Sequence, residues 1–168
     1  LVSNQLSAQA TSPYSRFGLG SIRSDVFSTN QAMGGISAGY SSTLGINHAN
    51  PASYSEIAWT TFEVGANLNG NTLRSKDSSY NAFSGGVNHL AIGTPILRGK
   101  MGLSFGLLPF SNVNYNFVQT FTDTTKFNSG KGSLYQFYIG TAYKWKGLSL
   151  GINAGYVFGK LDYTKGFE

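Results

Sequence analysis

Residues 148–158 read LSLGINAGYVF, and their alternation decides the fold class. Apolar side chains occupy every second position from Leu148 to Phe158, and Ser, Gly or Asn stand between them until Val157 interrupts the pattern. A period of two is that of a β-strand, whose successive side chains point to opposite faces. Gly85-Gly86 indicates a bulge in one further strand. We therefore predict an all-β fold with five strands, the other four at residues 61–69, about 80–92, 102–107 and 134–144.

The composition favours a membrane β-barrel over a soluble β-protein. Only 11% of the residues are charged, whereas soluble domains contain about 25%. The sequence has no run of about 18 apolar residues, which excludes a transmembrane helix. The polar faces of the strands hold Ser, Thr, Asn, Gly and Gln, which suits a hydrated lumen, and the apolar faces suit lipid. A soluble β-sandwich would also alternate, so it remains an alternative.

The connections between the strands favour the same class. The polar segments 70–79 and 112–133 are long, whereas the turns at 93–100 and 144–147 are short. Outer-membrane barrels alternate long outer loops with short periplasmic turns. Because five strands cannot close a barrel, we expect this chain to be the first part of a longer, antiparallel barrel in the bacterial outer membrane.

The region before the first strand lacks a sustained period. Residues 1–10 end in a small-x-small pattern, which predicts the remnant of a secretory signal peptide, with a flexible mature N-terminus as the alternative. Residues 11–57 contain short, Gly-broken elements that cannot build a core of their own. We predict that they form a hatch or plug, and that residues 58–168 form the incomplete barrel.

Two motifs resemble the FadL-type outer-membrane transport family, and residues 13–18, which read PYSRFG, look like its Bacteroidota members. One is the Gly-rich stretch around Gly34 and Gly35, and the other is Asn50-Pro51-Ala52 before the first alternating strand. The resemblance implies a barrel of about 14 strands plugged by an N-terminal hatch. It also implies passive uptake of hydrophobic small molecules, such as long-chain fatty acids, through the hatch and a lateral opening in the wall.

The resemblance assigns candidate residues to this uptake. Pro109 and Phe110 match the lateral opening, since proline inside a strand pattern belongs at a kink or bulge. The alternative is that the strand ends there and Phe110 lies in an aromatic belt. In the long polar segment 112–133, Phe117, Phe121 and Phe127 are expected to contact the ligand. The alternative function is a barrel of the same fold that serves as a secretion-system or outer-membrane assembly partner.

Other functional classes lack support in the residues. The sequence has no cysteine and no nucleophile elbow, phosphate loop or metal motif, so we expect no enzyme activity, metal or cofactor. The net charge of +5 is dispersed, which argues against nucleic acid as a partner. The expected partners are outer-membrane lipid and a hydrophobic ligand, or a protein under the alternative function. His48 and His89 are interpreted as structural, and Glu63 as solvated or paired with Arg16, Arg23 or Lys144.

Overall fold

The computed structural model describes residues 13–74, 79–120 and 125–167. Its central feature is one antiparallel sheet in which the five long strands lie in sequence order. The elements are a 3₁₀-helix at Pro13–Arg16, β1 at Ser21–Ile22, α1 at Ser28–Ala32, a second 3₁₀-helix at Pro51–Glu56, β2 at Thr61–Arg74, β3 at Ser79–Leu97, β4 at Met101–Thr120, β5 at Thr125–Trp145 and β6 at Leu148–Phe167.

The all-β, antiparallel class is confirmed, and the sheet is open in the described residues. Closure into a barrel stays a prediction. Residues 1–10, which the sequence assigns to a signal remnant, lie outside the described residues. None of the helices in the described part of the chain is both long and apolar enough to cross a membrane.

The two long polar connections predicted from the sequence are wrong. β2 continues to Arg74 and β3 begins at Ser79, while β4 continues to Thr120 and β5 begins at Thr125. Polar residues with extended propensity, such as Thr and Tyr, can continue a ladder where the core no longer demands apolar side chains. Most of 70–79 and 112–133 is therefore paired strand.

The short turns are tighter than the sequence predicts. β3 continues to Leu97 and β4 starts at Met101, so the turn is shorter than 93–100. β5 and β6 are joined by Lys146 and Gly147, with φ of 47° and 94°. Positive φ at both central residues is typical of a hairpin turn whose twist matches the flanking strands.

The bulge in β3 lies at Asn88, not at Gly85-Gly86. Gly65 pairs with His89 and Ala66 pairs with Val87, so Asn88 is the extra residue. A bulge lets two successive side chains turn toward the same face. Asn88 and His89 are accordingly both buried. The two glycines predicted a bulge at Gly85-Gly86, whereas its observed position follows from the packing of Asn88 and His89 against the rest of the protein.

Residues 13–60, called here the N-terminal segment, pack on one face of the sheet. The buried apolar core joins this segment to the strands. We call this face the inner face and the opposite one the outer face. The core consists of Phe27, Ile46, Tyr54 and Ile57 from the segment and Ala91, Leu108, Tyr138 and Ala142 from the strands.

Candidate functional site

The second 3₁₀-helix lies directly on glycines of the inner face. A Cβ at Gly102 would lie 1.8 Å from the carbonyl oxygen of Tyr54, and one at Gly151 would lie 2.3 Å from the carbonyl carbon of Pro51. Both distances are far below van der Waals contact. The alternation of glycine with apolar residues in β4 and β6 thus provides a surface that the backbone of the helix can approach closely.

The Asn-Pro-Ala motif starts this helix and fixes it in place. Pro51 occupies the first turn, where its fixed φ and missing N–H are tolerated. The Asn50 side chain donates from Nδ2 to the carbonyl oxygen of Ala38 at 2.9 Å. From β6, Asn153 donates through Nδ2 to the carbonyl oxygen of His48 at 2.9 Å. The motif therefore holds the segment against β6.

Tyr54 is the central side chain of this contact and is completely buried. Burial raises the pKa of Tyr54 to about 12. Next to it, the hydroxyl groups of Ser104 and Tyr138 share a hydrogen bond of 2.9 Å. The tyrosines are therefore neutral, apolar anchors with short polar links, which suits a packing role.

A second contact joins the segment to β2 through Glu63. One carboxylate oxygen accepts from Thr29 Oγ1 at 3.0 Å, and the other accepts from the backbone N–H of Ile46 at 3.2 Å. His89 Nε2 lies 3.4 Å from the first oxygen. The pairing of Glu63 with Arg16, Arg23 or Lys144 is therefore wrong, because α1 and the chain before Ile46 bring neutral donors closer to the carboxylate.

Lys144 instead pairs with Glu56, with Nζ 2.6 Å from Oε1. This ion pair links β5 to the end of the second 3₁₀-helix. Both side chains are about one-third exposed, so solvent screens the interaction. It therefore aligns the two elements more than it stabilises them.

We expect Glu63→Ala to lower the free energy of unfolding by about 2 kcal/mol, since it leaves the backbone N–H of buried Ile46 without an acceptor. Urea unfolding of the purified full-length protein in detergent would measure the change. Glu63→Gln is the matched control, because its side-chain oxygen can still accept one of the bonds. If Glu63→Ala were no more destabilising than Glu63→Gln, the contact would contribute little.

The two histidines are brought together by Phe27. Its ring stacks on His89 with a centroid distance of 3.8 Å and on His48 with 5.7 Å. His48 also meets Tyr138 edge to face at 4.4 Å. Within the described residues, no group of three or more His, Cys, Asp or Glu side chains could hold a metal ion. The histidines act here as packed aromatic rings.

Burial lowers the pKa of His48, and the neighbouring His89 lowers it further. Asp25 partly opposes this shift, because one of its carboxylate oxygens lies 4.0 Å from Nδ1 of His48. The unfolded state therefore binds more protons than the folded state between the folded pKa and about 6.5. We expect the free energy of unfolding to fall as the pH drops from 7 to 5. Urea unfolding across this range measures how steeply the free energy of unfolding depends on pH. This dependence should be weaker in His48→Phe. An unchanged slope in that variant would contradict the assignment.

A third contact lies at the edge of β4. The β3–β4 ladder runs from Leu97↔Met101 to Leu90↔Leu107 and stops, although both strands continue. Beyond that point β1 pairs with β4 through Ser21↔Asn112 and Ile22↔Ser111. A cleft of about 370 Å³ lies beside β1. It is lined by Ser15, Ser21, Ile22, Arg23, Ser24, Gln31, Asn67, Asn88 and Asn112.

The candidate site residues from the sequence lie in separate places. Gly34 and Gly35 end α1 with φ of 76° and 82°, and their N–H groups bond back to Gln31 and Asn30. Pro109 and Phe110 lie at a register shift between β4 and β5, next to the end of the β3–β4 ladder. Gly34 and Gly35 are thus local to α1, and Asn50, Pro51 and Ala52 contact the sheet.

The phenylalanines predicted for ligand contact lie only partly within the described residues. Phe117 lies within β4, in register with Asn128, and Phe121 lies outside the described residues. Phe127 lies on β5 and is exposed. A binding role for Pro109, Phe110, Phe117 and Phe121 stays a prediction. The sequence did not indicate the roles of Phe27, Tyr54 and Gly102, because contacts between the segment and the sheet are long-range.

The BamG family model matches residues 1–167 of the chain. Searches of curated proteins and of solved structures found no match. BamG is a different family from the FadL-type transporters, so the resemblance to that family is wrong, and so is the uptake of fatty-acid-like molecules inferred from it. Gly34 and Gly35 end α1, and Asn50-Pro51-Ala52 starts a 3₁₀-helix that lies on glycines of the sheet. Neither feature specifies transport.

Proposed function

The chain belongs to the BamG family, and we propose that it serves as a non-enzymatic protein partner in a Bam complex that assembles outer-membrane proteins. The family name associates the chain with the outer membrane. This proposal takes up the alternative function weighed from the sequence. The family match over residues 1–167 is the observation that carries it.

The outer face of the sheet supports a position in lipid. On β6, exposed apolar side chains stand at alternate positions from Leu148 to Phe158 and form an apolar band, in which Ile152 is 69% exposed. The band is close to the roughly 9–11 residues that a tilted strand needs to cross a bilayer. Above the band, β6 carries Lys160 and Asp162, which form an exposed ion pair at 2.8 Å. We propose that the band contacts lipid and that the strands extend beyond it.

Aromatic side chains flank this apolar band. Exposed Trp59, Tyr143 and Trp145 lie near the short turns, and exposed Tyr135 and Tyr156 lie toward the other end. Aromatic girdles at both interfaces are typical of outer-membrane barrels. We propose that the five strands form part of such a barrel, with the N-terminal segment as its hatch.

The inner face supports a structural role over a conducting one. The N-terminal segment fills this face through the Tyr54, Glu63 and Phe27 contacts. These contacts combine buried aromatic rings, a carboxylate that accepts hydrogen bonds, and close backbone approach, and they hold the segment on the strands. A wall with a firmly packed hatch presents a defined surface to partner subunits.

The proposal is tested by native electrophoresis of solubilised outer membranes that contain the tagged full-length protein. We expect it to co-migrate with other Bam subunits, and its depletion to lower the amounts of several outer-membrane barrels together. Migration apart from Bam subunits, with unchanged barrel levels on depletion, would contradict the proposal. Depletion of an unrelated porin serves as the control for general envelope damage.

A further inference from the structure

The sheet splits between β3 and β4 halfway along its strands. β3 pairs with β4 only from Leu97 to Leu90, whereas its ladder with β2 runs from Gly93 to Ser79. β4 pairs with β5 from Met101 to Thr120. Within residues 79–120, the ladder between the two strands thus ends at Leu90↔Leu107. The edge of β4 that faces β3 is left to a different partner beyond this point.

That partner is the chain's own N-terminal segment. β1 contributes only two residues, Ser21 and Ile22, to the antiparallel ladder. The backbone N–H of Arg23 adds one bond to the carbonyl oxygen of Phe110 at 2.9 Å. At its other end the ladder stops after Ser21, because Gly20, with a φ of 86°, turns the chain away from an extended course. Further along the same edge, the backbone N–H of Asn114 donates to Ser15 Oγ at 3.4 Å. A two-residue strand and Ser15 therefore occupy an edge along which β4 itself continues to Thr120.

The cleft beside β1 bridges the split. Asn67 and Asn88 come from the β2–β3 side, and Asn112 comes from β4. Side-chain amides and serine hydroxyl groups can donate and accept hydrogen bonds, and Ile22 adds an exposed apolar side chain. A strand with polar residues at alternate positions would find hydrogen-bonding partners for them in this cleft.

We infer that β1 is an exchangeable strand, and that an extended, alternating strand of another outer-membrane protein displaces it and adds to β4. Strand addition obtains affinity from main-chain hydrogen bonds and specificity from alternate side chains. A longer incoming strand would form more ladder bonds than β1 does. This inference rests on the proposed function for its choice of partner, and the geometry of the split and of β1 supplies the site.

A disulfide lock tests the inference on the full-length protein in detergent. Ile22 and Ser111 are Cα partners, so Ile22→Cys/Ser111→Cys can tether β1 to β4. The probe is a fluorescent synthetic copy of residues 148–156, an alternating strand, and its binding is measured by anisotropy. We expect the oxidised variant to bind the peptide at least tenfold more weakly than its reduced form, which also serves as the folding control.

Two further comparisons separate strand addition from nonspecific binding. The peptide carrying Ile152→Pro, which lacks a ladder donor, should bind at least tenfold more weakly. Arg23→Pro, which removes the bond to Phe110, should strengthen binding of the unmodified peptide severalfold, whereas Arg23→Ala should not. Equal binding by the oxidised and reduced forms, equal binding of the proline peptide, or no binding at all would overturn the inference.

The outcome is independent of the test of the proposed function. Co-migration with Bam subunits is measured in outer membranes without peptide, and the oxidised lock should retain it. Loss of co-migration in the wild-type chain would contradict the proposed function, even if the peptide assay succeeded. Failure of the peptide assay with co-migration intact would contradict strand exchange alone.

Discussion

Gly102→Val is expected to force the N-terminal segment off the inner face of the sheet. A Cβ at this position would lie 1.8 Å from the backbone oxygen of Tyr54, and neither the strand nor the 3₁₀-helix can move without breaking other contacts. Overpacking typically costs about 1–3 kcal/mol, and a clash with backbone belongs at or above the upper end. We expect a loss of about 3 kcal/mol, because the Tyr54 and Asn50-Pro51-Ala52 contacts are lost together.

Limited trypsin digestion of the purified full-length protein measures this displacement. Cleavage after Arg23 should be at least tenfold faster in Gly102→Val than in the wild type. Gly70→Val is the matched control, since Gly70 lies on β2 and nothing approaches its Cβ position within 4 Å. Equal protection in Gly102→Val and Gly70→Val would show that the close approach at Gly102 is not what holds the segment.

Tyr54→Ala is expected to have a comparably large effect. Tyr54 is fully buried, and its ring lies 2.9 Å from the Cβ position of Gly140 on β5. Truncation of a buried aromatic side chain costs about 3–5 kcal/mol, because packing is lost and a cavity remains. We expect a loss of about 4 kcal/mol in urea unfolding, together with faster trypsin cleavage in the segment.

Tyr54→Phe separates the ring from its hydroxyl group. It keeps the packed ring and removes a buried hydroxyl group that has no hydrogen-bond partner among the described residues. We expect the free energy of unfolding to change by less than about 1 kcal/mol. A loss in Tyr54→Phe as large as that in Tyr54→Ala would mean that the hydroxyl group, and not the packed ring, anchors the segment.

The sequence predicted the strands better than their ends. The alternation at residues 148–158 located β6, because each side chain on one face meets the same environment. The same signal fades beyond Phe158, yet β6 continues to Phe167. Where both faces meet water, period-two patterning weakens while backbone pairing persists. Loops at 70–79 and 112–133 were therefore inferred where strands continue.

The site could be predicted only in part. Asn50-Pro51-Ala52 was recognisable because it is a local signal for a short helix start. The contacts of Glu63 with Thr29 and Ile46, by contrast, bring distant parts of the chain together. No periodicity encodes such pairings. The bulge at Asn88 was predicted at the wrong position for the same reason, since its position depends on how the segment packs on β3.

The resemblance to a transporter family failed at a specific step. Gly34 and Gly35 determine how the segment turns after α1, and Asn50-Pro51-Ala52 determines how it packs on the sheet. Many functions can use the same packing, because function depends on the site and not on the fold. The BamG match over residues 1–167 favours an assembly role, which the sequence had offered as the alternative.

We propose that the outer face of this sheet contacts lipid while the N-terminal segment covers the inner face. Spin labels on single cysteines, in a cysteine-free full-length protein in outer-membrane vesicles, test it most directly. We predict that a label at Ile152 is accessible to oxygen and that a label at Lys160 is accessible to a water-soluble nickel reagent. A label at Ala142 should be accessible to neither. Equal nickel accessibility at Ile152 and Lys160 would contradict the account.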